Sequence, residues 1–415
     1  MNPIESRILA LKIAQSPRLQ AAQARTAELF HADPAARTAA GAATLQRAVR
    51  EHFYAAIQRA LNDDPQHPAI ATISLPRHTV GDLEFPAAHH GGMQNPDVFY
   101  RLIPIDGSAR YALHGVRPQV APAQVVFELL DAAPGLGDLG QLGRQLAVLQ
   151  DRDMLFAPDG SFTITLDTLP ADGRANHIQT TNTARALLIR DVLSDWSEQQ
   201  PLQLRIERLD RPTQPARSEA QLLELAERMV PRFADFWLRF RAGYLQQNSH
   251  RRVNVLDTPE FRTGGWGFIS NTSFELADDE ALVMTLDPLG ARYFSVMLAD
   301  PWFIVMDSER RSGSLNNSQA RANADGSITV VIAPRDAGAH NWLDTEGLNS
   351  GYIQVRWQEM PATLTSADGA IRSVQRLPLA ELRSALPEAA WVTPAQRTAQ
   401  LAARYATFTR RLSAL

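Results

Sequence analysis

Apolar residues recur at spacings of three and four through the first 66 residues. Leu45, Val49, Phe53, Ala56, Ile57, Ala60 and Leu61 form one stripe, and this spacing predicts a helix. Glu5–Ile13 and Leu19–Phe30 repeat the pattern with more Ala and Arg. An Ala-rich amphipathic arm of this kind is expected to cover its own domain or a partner subunit rather than a membrane. From about Ala69 the pattern turns strand-like. Val98–Ile103, Tyr111–Val116, Val125–Leu130, Phe162–Leu166, Ala186–Val192 and residues 202–209 are separated by Gly, Pro and Asp-Gly breaks. A Pro-rich break, RPTQPAR at 211–217, precedes a second long helix. Ser218 and Gln221 form its capping box, and Leu222, Leu225, Met229, Phe233, Phe236, Phe240 and Tyr244 its apolar stripe. Pro231 is expected to kink it. Strand patterns resume at Phe268–Leu276, Leu282–Leu286, Tyr293–Leu298, Phe303–Met306, Ile328–Ala333 and Tyr352–Trp357, and helices near 379–385 and 394–412 close the chain.

An internal repeat organises these elements. Asp159-Gly160-Ser161-Phe162-Thr163-Ile164 matches Asp325-Gly326-Ser327-Ile328-Thr329-Val330 at an offset of 166, and Asn176-His177 matches Asn341-Trp342 at 165. Ile189-Arg190 matches Val355-Arg356 at 166, and Ala109-Arg110-Tyr111 matches Ala291-Arg292-Tyr293 at 182. The order and near-constant offsets predict a mainly β chain with two tandem β-sandwich or jelly-roll-like domains. The expected division is a helical region at 1–66, a first sandwich at 67–210, a linking helix at 211–249, a second sandwich at 250–360 and a C-terminal helical segment at 361–415.

Composition removes chemistry rather than adding it. The 415 residues include no cysteine, and the 41 basic residues are 40 arginines and the single Lys12. Thiol nucleophiles, disulfides, zinc fingers and cysteine-held clusters are excluded. A Walker A lysine or a Schiff-base lysine is excluded unless Lys12 serves, and no glycine loop precedes it. The net charge of −4 argues against a duplex-binding surface. No apolar run approaches a membrane span and no secretory signal is apparent, so a cytoplasmic location is expected.

Several motifs have plain readings. Gly135-Leu136-Gly137-Asp138-Leu139-Gly140 matches the dinucleotide fingerprint, but Gln141–Leu149 after it is too short a run for the helix of a Rossmann unit, and an inter-strand loop fits better. Asp151, Asp153 and Asp159 lack EF-hand spacing, and the adjacent His89 and His90 cannot easily share a metal. No metal or cofactor is therefore expected. The densest polar–aromatic stretch lies in the second copy: Asp300-Pro301-Trp302, Arg335, His340-Asn341-Trp342 and Arg356-Trp357. His340 and Asp300, with His90 and Tyr100 from the first copy, are the candidate proton carriers. Trp302, Arg335, Asn341, Trp342, Arg356 and Trp357 are the candidate substrate-binding residues.

These motifs resemble the bacterial family called domain of unknown function 1214. The chain carries Asn95-Pro96-Asp97 with Tyr100, Tyr111-Ala112-Leu113-His114-Gly115, Pro158-Asp159-Gly160-Ser161-Phe162, Asp300-Pro301-Trp302 and Asn341-Trp342-Leu343-Asp344-Thr345 in the family's order. The resemblance covers roughly 69–209 and 250–360 and implies tandem β-sandwich domains with helices. It implies no catalytic residues. Asp307-Ser308-Glu309-Arg310-Arg311 stands where the family often has an Asn–Arg–Gln group, and His340 replaces its usual proline.

The expected function is a cofactor-independent lyase, working by acid–base elimination or retro-aldol cleavage on an apolar, aromatic or terpenoid-like molecule. A non-catalytic protein that binds small molecules or carbohydrates, or serves in assembly, is the alternative. The expected partners are a small-molecule substrate and a second copy held through the helical segments, with neither nucleic acid nor membrane.

Overall fold

Three helices open the chain in the computed structural model, which describes residues 3–247 and 252–412: α1 (Pro3–Ala14), α2 (Pro17–Ala32) and α3 (Ala39–Leu61). Ser16 caps α2 and Thr38 caps α3, each side chain accepting an N–H of the first turn. The three helices bury their stripes against α4 (Glu219–Gln247), where Leu222, Ala226, Val230, Phe233 and Trp237 follow one another at helical spacing. Ser218 and Gln221 cap α4 reciprocally at 2.8 and 3.4 Å, and α4 runs unbroken through Pro231. None of the described helices is long and apolar enough to cross a membrane.

The first sandwich contains β1 (Ala71–Ile73), the small hairpin β2 (His78–Val80) and β3 (Leu83–Phe85), β4 (Val98–Pro104), β5 (Tyr111–Val116), β6 (Gln124–Leu130), β7 (Gln145–Gln150), β8 (Ser161–Asp167), β9 (His177–Gln179), β10 (Ala186–Val192) and β11 (Gln203–Arg208). The second contains β12 (Glu260–Arg262), β13 (Gly267–Glu275), β14 (Glu280–Leu286), β15 (Tyr293–Ala299), β16 (Ser314–Asn316), β17 (Ile328–Ala333), β18 (Trp342–Asp344), β19 (Ser350–Gln358) and β20 (Ile371–Pro378). Two packed sheets of orders β1-β4-β10-β6-β7 and β11-β5-β8-β9 make the first, and β12-β13-β19-β15-β16 and β20-β14-β17-β18 the second. The orders coincide strand for strand. Each copy also places one parallel pair in the same position, Thr165 opposite His177 and Val331 opposite Trp342.

The duplication extends to single hydrogen bonds. Asp159 and Asp325 each accept the N–H two residues on, at 2.9 and 3.1 Å, in turns whose next residue is a left-handed glycine (Gly160, φ 81°; Gly326, φ 82°). Asn176 grips both backbone groups of Leu155, and Asn341 both of Arg321, at 2.7–2.9 Å. The Ala-Arg-Tyr match does not survive. Tyr111 opens β5, whereas Tyr293 opens β15, the counterpart of β6; a three-residue match can recur at non-equivalent strands. Three other departures share a cause, since short apolar runs carry no secure period. Residues 303–306 form a turn around Phe303 (φ 61°), β7 occupies the stretch after the glycine loop, and β20 pairs with β14 beyond residue 360. Short α5 (Leu382–Ala385) and α6 (Pro394–Leu412) follow β20.

The loop at 135–140 packs on α4. A Cβ at Gly135 (φ 91°) would stand 2.3 Å from the Phe233 ring, so glycine there serves close packing. A strand follows, leaving no helix N-terminus for a pyrophosphate.

The Asn95-Pro96-Asp97 motif joins the two sandwiches and α6. The enclosed Asp97 carboxylate accepts Trp196 Nε1 (2.8 Å), Asn316 Nδ2 (2.8 Å) and the Tyr293 hydroxyl (2.5 Å). Asn95 Nδ2 donates to the same Tyr293 oxygen at 2.6 Å. From α6, Arg411 donates to the Pro96 carbonyl and lies over Trp196, beside Arg404.

Candidate functional site

Helix α3 is buried nearly all round near its C-terminal end, and its sequence there, His52-Phe53-Tyr54-Ala55-Ala56-Ile57-Gln58-Arg59-Ala60-Leu61, admits few polar residues. One of them, Arg59, is only 4% exposed. Its guanidinium lines a cavity of about 250 Å³ between α1, α3, the start of α4 and the strand β1. Leu9, Leu61, Ile70, Ile73, Leu222 and Phe233 supply apolar walls. Arg7, His90, Ser74 and Arg217 add polar ones.

The unsatisfied groups give this cavity its character. Arg59 Nε and Nη1, His90 Nε2 and Ser74 Oγ are buried without hydrogen-bond partners. Burial pushes the Arg59 guanidinium down to about 10, with Asp63 opposing. Burial also holds the His90 imidazole well below its usual value, and the Arg59 charge acts the same way. The neutral His90 ring stacks on Trp237 with centroids 4.2 Å apart. Gln94 Nε2 donates to its Nδ1 at 2.9 Å, so the proton sits on Nε2. The orphaned nitrogens of Arg59 and His90 are thus all donors. Leaving such donors buried and unpaired costs about 1–3 kcal/mol each; an oxygen anion in the cavity removes that cost.

His52 fixes the loop that presents His90. Its Nδ1 donates to the Ala48 carbonyl (2.9 Å) and its Nε2 accepts the Gly91 N–H (3.0 Å). Both bonds need the neutral ring, and burial pushes its pKa down to about 4. Between that value and the unfolded value near 6.5 the unfolded chain binds the extra proton. Stability from His52 is therefore full above about pH 6.5 and falls by about 3 kcal/mol as pH drops to 4. Urea unfolding at pH 7, 5 and 4 should show a shallower acid decline for His52→Gln than for the parent chain. Parallel declines would refute the assignment.

The residues singled out in the sequence are dispersed. Only His90 lines this cavity. Tyr100 is buried, its hydroxyl accepting the Asn95 N–H at 3.1 Å. Asp300 is fully enclosed in the turn before Trp302; it accepts the N–H groups of Trp302 and Ile304 at 2.9 and 3.1 Å, with Arg47 3.8 Å away. Burial pushes its carboxyl up to about 7 against the pull of Arg47. Trp302 reaches into the helical layer, donates Nε1 to the Gly41 carbonyl at 3.0 Å and packs on Phe30. His340 and Asn341 line a separate pocket beside the segment carrying α5, and Asn341 acts as a backbone staple like Asn176. Burial lowers the His340 pKa, with the Asn341 bond opposing. Trp342 donates to the Ala333 carbonyl at 3.1 Å, and Trp357 fills the second core, donating to the Asp287 carbonyl at 2.8 Å. Arg335 is exposed and pairs with Asp278. Arg356 lies between the sandwiches over Trp266. The second-copy residues thus do not converge on one site.

Arg59, Arg7 and Ser74 carried no motif. The one available signal was Arg59 itself, a charge within an apolar stretch of α3. Among the described residues no group of three His, Asp or Glu side chains could hold a metal ion.

One solved structure has this architecture over most of the chain. The chain is similar to the crystal structure of an uncharacterized protein from Burkholderia cenocepacia, with a TM-score of 0.71 and 23% identity over 89% of this chain and 99% of that one. A Vibrio parahaemolyticus protein aligns over 69% of this chain and 90% of its own, at 11% identity and a TM-score of 0.41. No curated protein matches. Residues 273–359, from within β13 to the residue after β19 and spanning both the Asp300-Pro301-Trp302 and Asn341–Thr345 motifs, match the family model described as protein of unknown function (DUF1214).

Proposed function

We propose that the chain binds an apolar small molecule through one oxygen anion, a carboxylate or an enolate, in the cavity lined by Arg59 and His90. One observation carries this reading: Arg59 and His90 line the same cavity, and Arg59 Nε and Nη1 and His90 Nε2 are buried donors without hydrogen-bond partners. The neutral His90 favours a second reading of the same site, cofactor-independent lyase chemistry. In an elimination or retro-aldol cleavage, Arg59 and the His90 Nε2–H would stabilise the enolate oxygen as charge develops. Asp64 and Glu219, which also line the cavity, are the carboxylates available as base.

Calorimetry with a series of aryl-alkanoic and medium-chain monocarboxylates, each paired with its methyl ester, tests the binding. The acids should bind at least about tenfold more tightly than the esters, since the ester forfeits a charge-assisted hydrogen bond. Equal affinity of acid and ester, or no binding of either, would overturn the proposal.

A further inference from the structure

A second cavity, of about 190 Å³, lies where the two sandwiches meet α4. Three charged residues line it, drawn from different copies of the repeat, and Arg262 at the end of β12 lies over the Tyr244 ring. Glu128 on β6 belongs to the first and Arg356 on β19 to the second, with Trp266, Phe240 and Leu188 between them.

The carboxylate is incompletely satisfied. Glu128 is 5% exposed; its Oε1 accepts Gln145 Nε2 at 2.6 Å, while Oε2 has no hydrogen bond. The nearest cation is Arg190, 3.8 Å away, which donates instead to the Gly264 carbonyl and stacks on Trp266. The Arg356 guanidinium is oriented in advance. Arg356 Nε donates to Gln354 Oε1 at 2.6 Å, and Gln354 Nε2 donates to Asn271 Oδ1 at 2.9 Å. Arg190 and Arg356 are the repeat-equivalent pair, and both guanidiniums lie over the Trp266 ring, at 3.7 and 4.8 Å from its centroid.

The fold does not require the charge on the first wall. Glu128 faces Leu188 in its ladder, and the equivalent position of the second copy, facing Gln354, is Met297. An apolar residue therefore satisfies the same strand position. We propose that this cavity is a binding site for a free amino acid with an apolar side chain, its ammonium on Glu128, its carboxylate on Arg356 and its side chain against Trp266, Phe240 and Leu188. A buried carboxylate oxygen without a hydrogen bond and a prepositioned guanidinium lining the same cavity are the two ends a zwitterion joins.

Trp266 makes the site readable. Titration of the full chain with L-leucine, L-phenylalanine and L-tryptophan should give saturable heats in calorimetry. Leucine and phenylalanine should also change the tryptophan emission, a change absent in Trp266→Phe. N-acetylation, which removes the ammonium, and C-terminal amidation, which removes the carboxylate, should each weaken binding at least about tenfold. Glu128→Gln should weaken the free amino acid and leave its N-acetyl derivative unaffected; Arg356→Gln should do the same with respect to the amide. The derivatives decide the matter on the parent chain even if a variant fails to fold. No heat from any of the three amino acids at millimolar concentration, or derivatives that bind as well as the parents, would overturn the proposal.

Discussion

Asp97→Ala should lower the unfolding free energy by about 3–5 kcal/mol, the usual cost of breaking a buried charge network by removing one partner. The Asp97 carboxylate receives donors from three separate places: Trp196 between β10 and β11 of the first sandwich, and Tyr293 and Asn316 in the second. Arg411 and Arg404 of α6 add their charges, and both act to lower a carboxyl pKa that burial raises. With the carboxylate gone, three buried donors lose an acceptor and two enclosed guanidiniums lose their counter-charge. The effect should also be directional. The link between the sandwiches and the docking of α6 both pass through this residue, so limited proteolysis should cut the variant first near α6. Urea unfolding followed by fluorescence measures the loss, and a change below about 1 kcal/mol would show that the network is incidental. Asp97→Asn keeps one acceptor oxygen and should cost less.

The origin of this motif's role shows what the sequence could reveal. Strand periods, capping residues and the repeat were legible because they are local: Asp159-Gly160 and Asp325-Gly326 each encode their own turn, and Asn176 and Asn341 each staple their own loop. The same locality misled the reading of function. Asp300, Trp302, Asn341 and Trp357 are dense in polar and aromatic character because they terminate turns, staple loops and plug cores, and conspicuous chemistry resembled a site. Arg59 was illegible for the opposite reason. Its significance lies in what is absent around it, acceptors for two of its buried nitrogens, and only the packing of α1, β1 and α4 around α3 reveals that. Arg356 stood out as a repeat position, but Glu128, which lines the same cavity, breaks the repeat and lies more than two hundred residues away.

Replacing Arg59 by Met should raise the stability of the ligand-free chain while abolishing binding of the anionic ligand. Both directions stem from the same imbalance. Arg59 is buried, its Nε and Nη1 have no partner, and Asp63 is its one opposing charge. Exchanging a guanidinium with two buried, unpaired nitrogens for an apolar side chain of similar length removes the cost of those unpaired donors, about 1–3 kcal/mol each, against the loss of its attraction to Asp63. Thermal unfolding of the two chains without ligand checks the first part, and for a two-state unit of 150–250 residues each kcal/mol moves the midpoint by about 2–4 °C. Calorimetry with the tightest-binding carboxylate checks the second, where the loss of a charge-assisted bond should cost about tenfold or more in affinity. A variant that is destabilised and still binds would mean that Arg59 is a structural cation whose partners lie elsewhere. A variant that is more stable and no longer binds would identify a residue retained at a cost to the fold for the sake of its ligand.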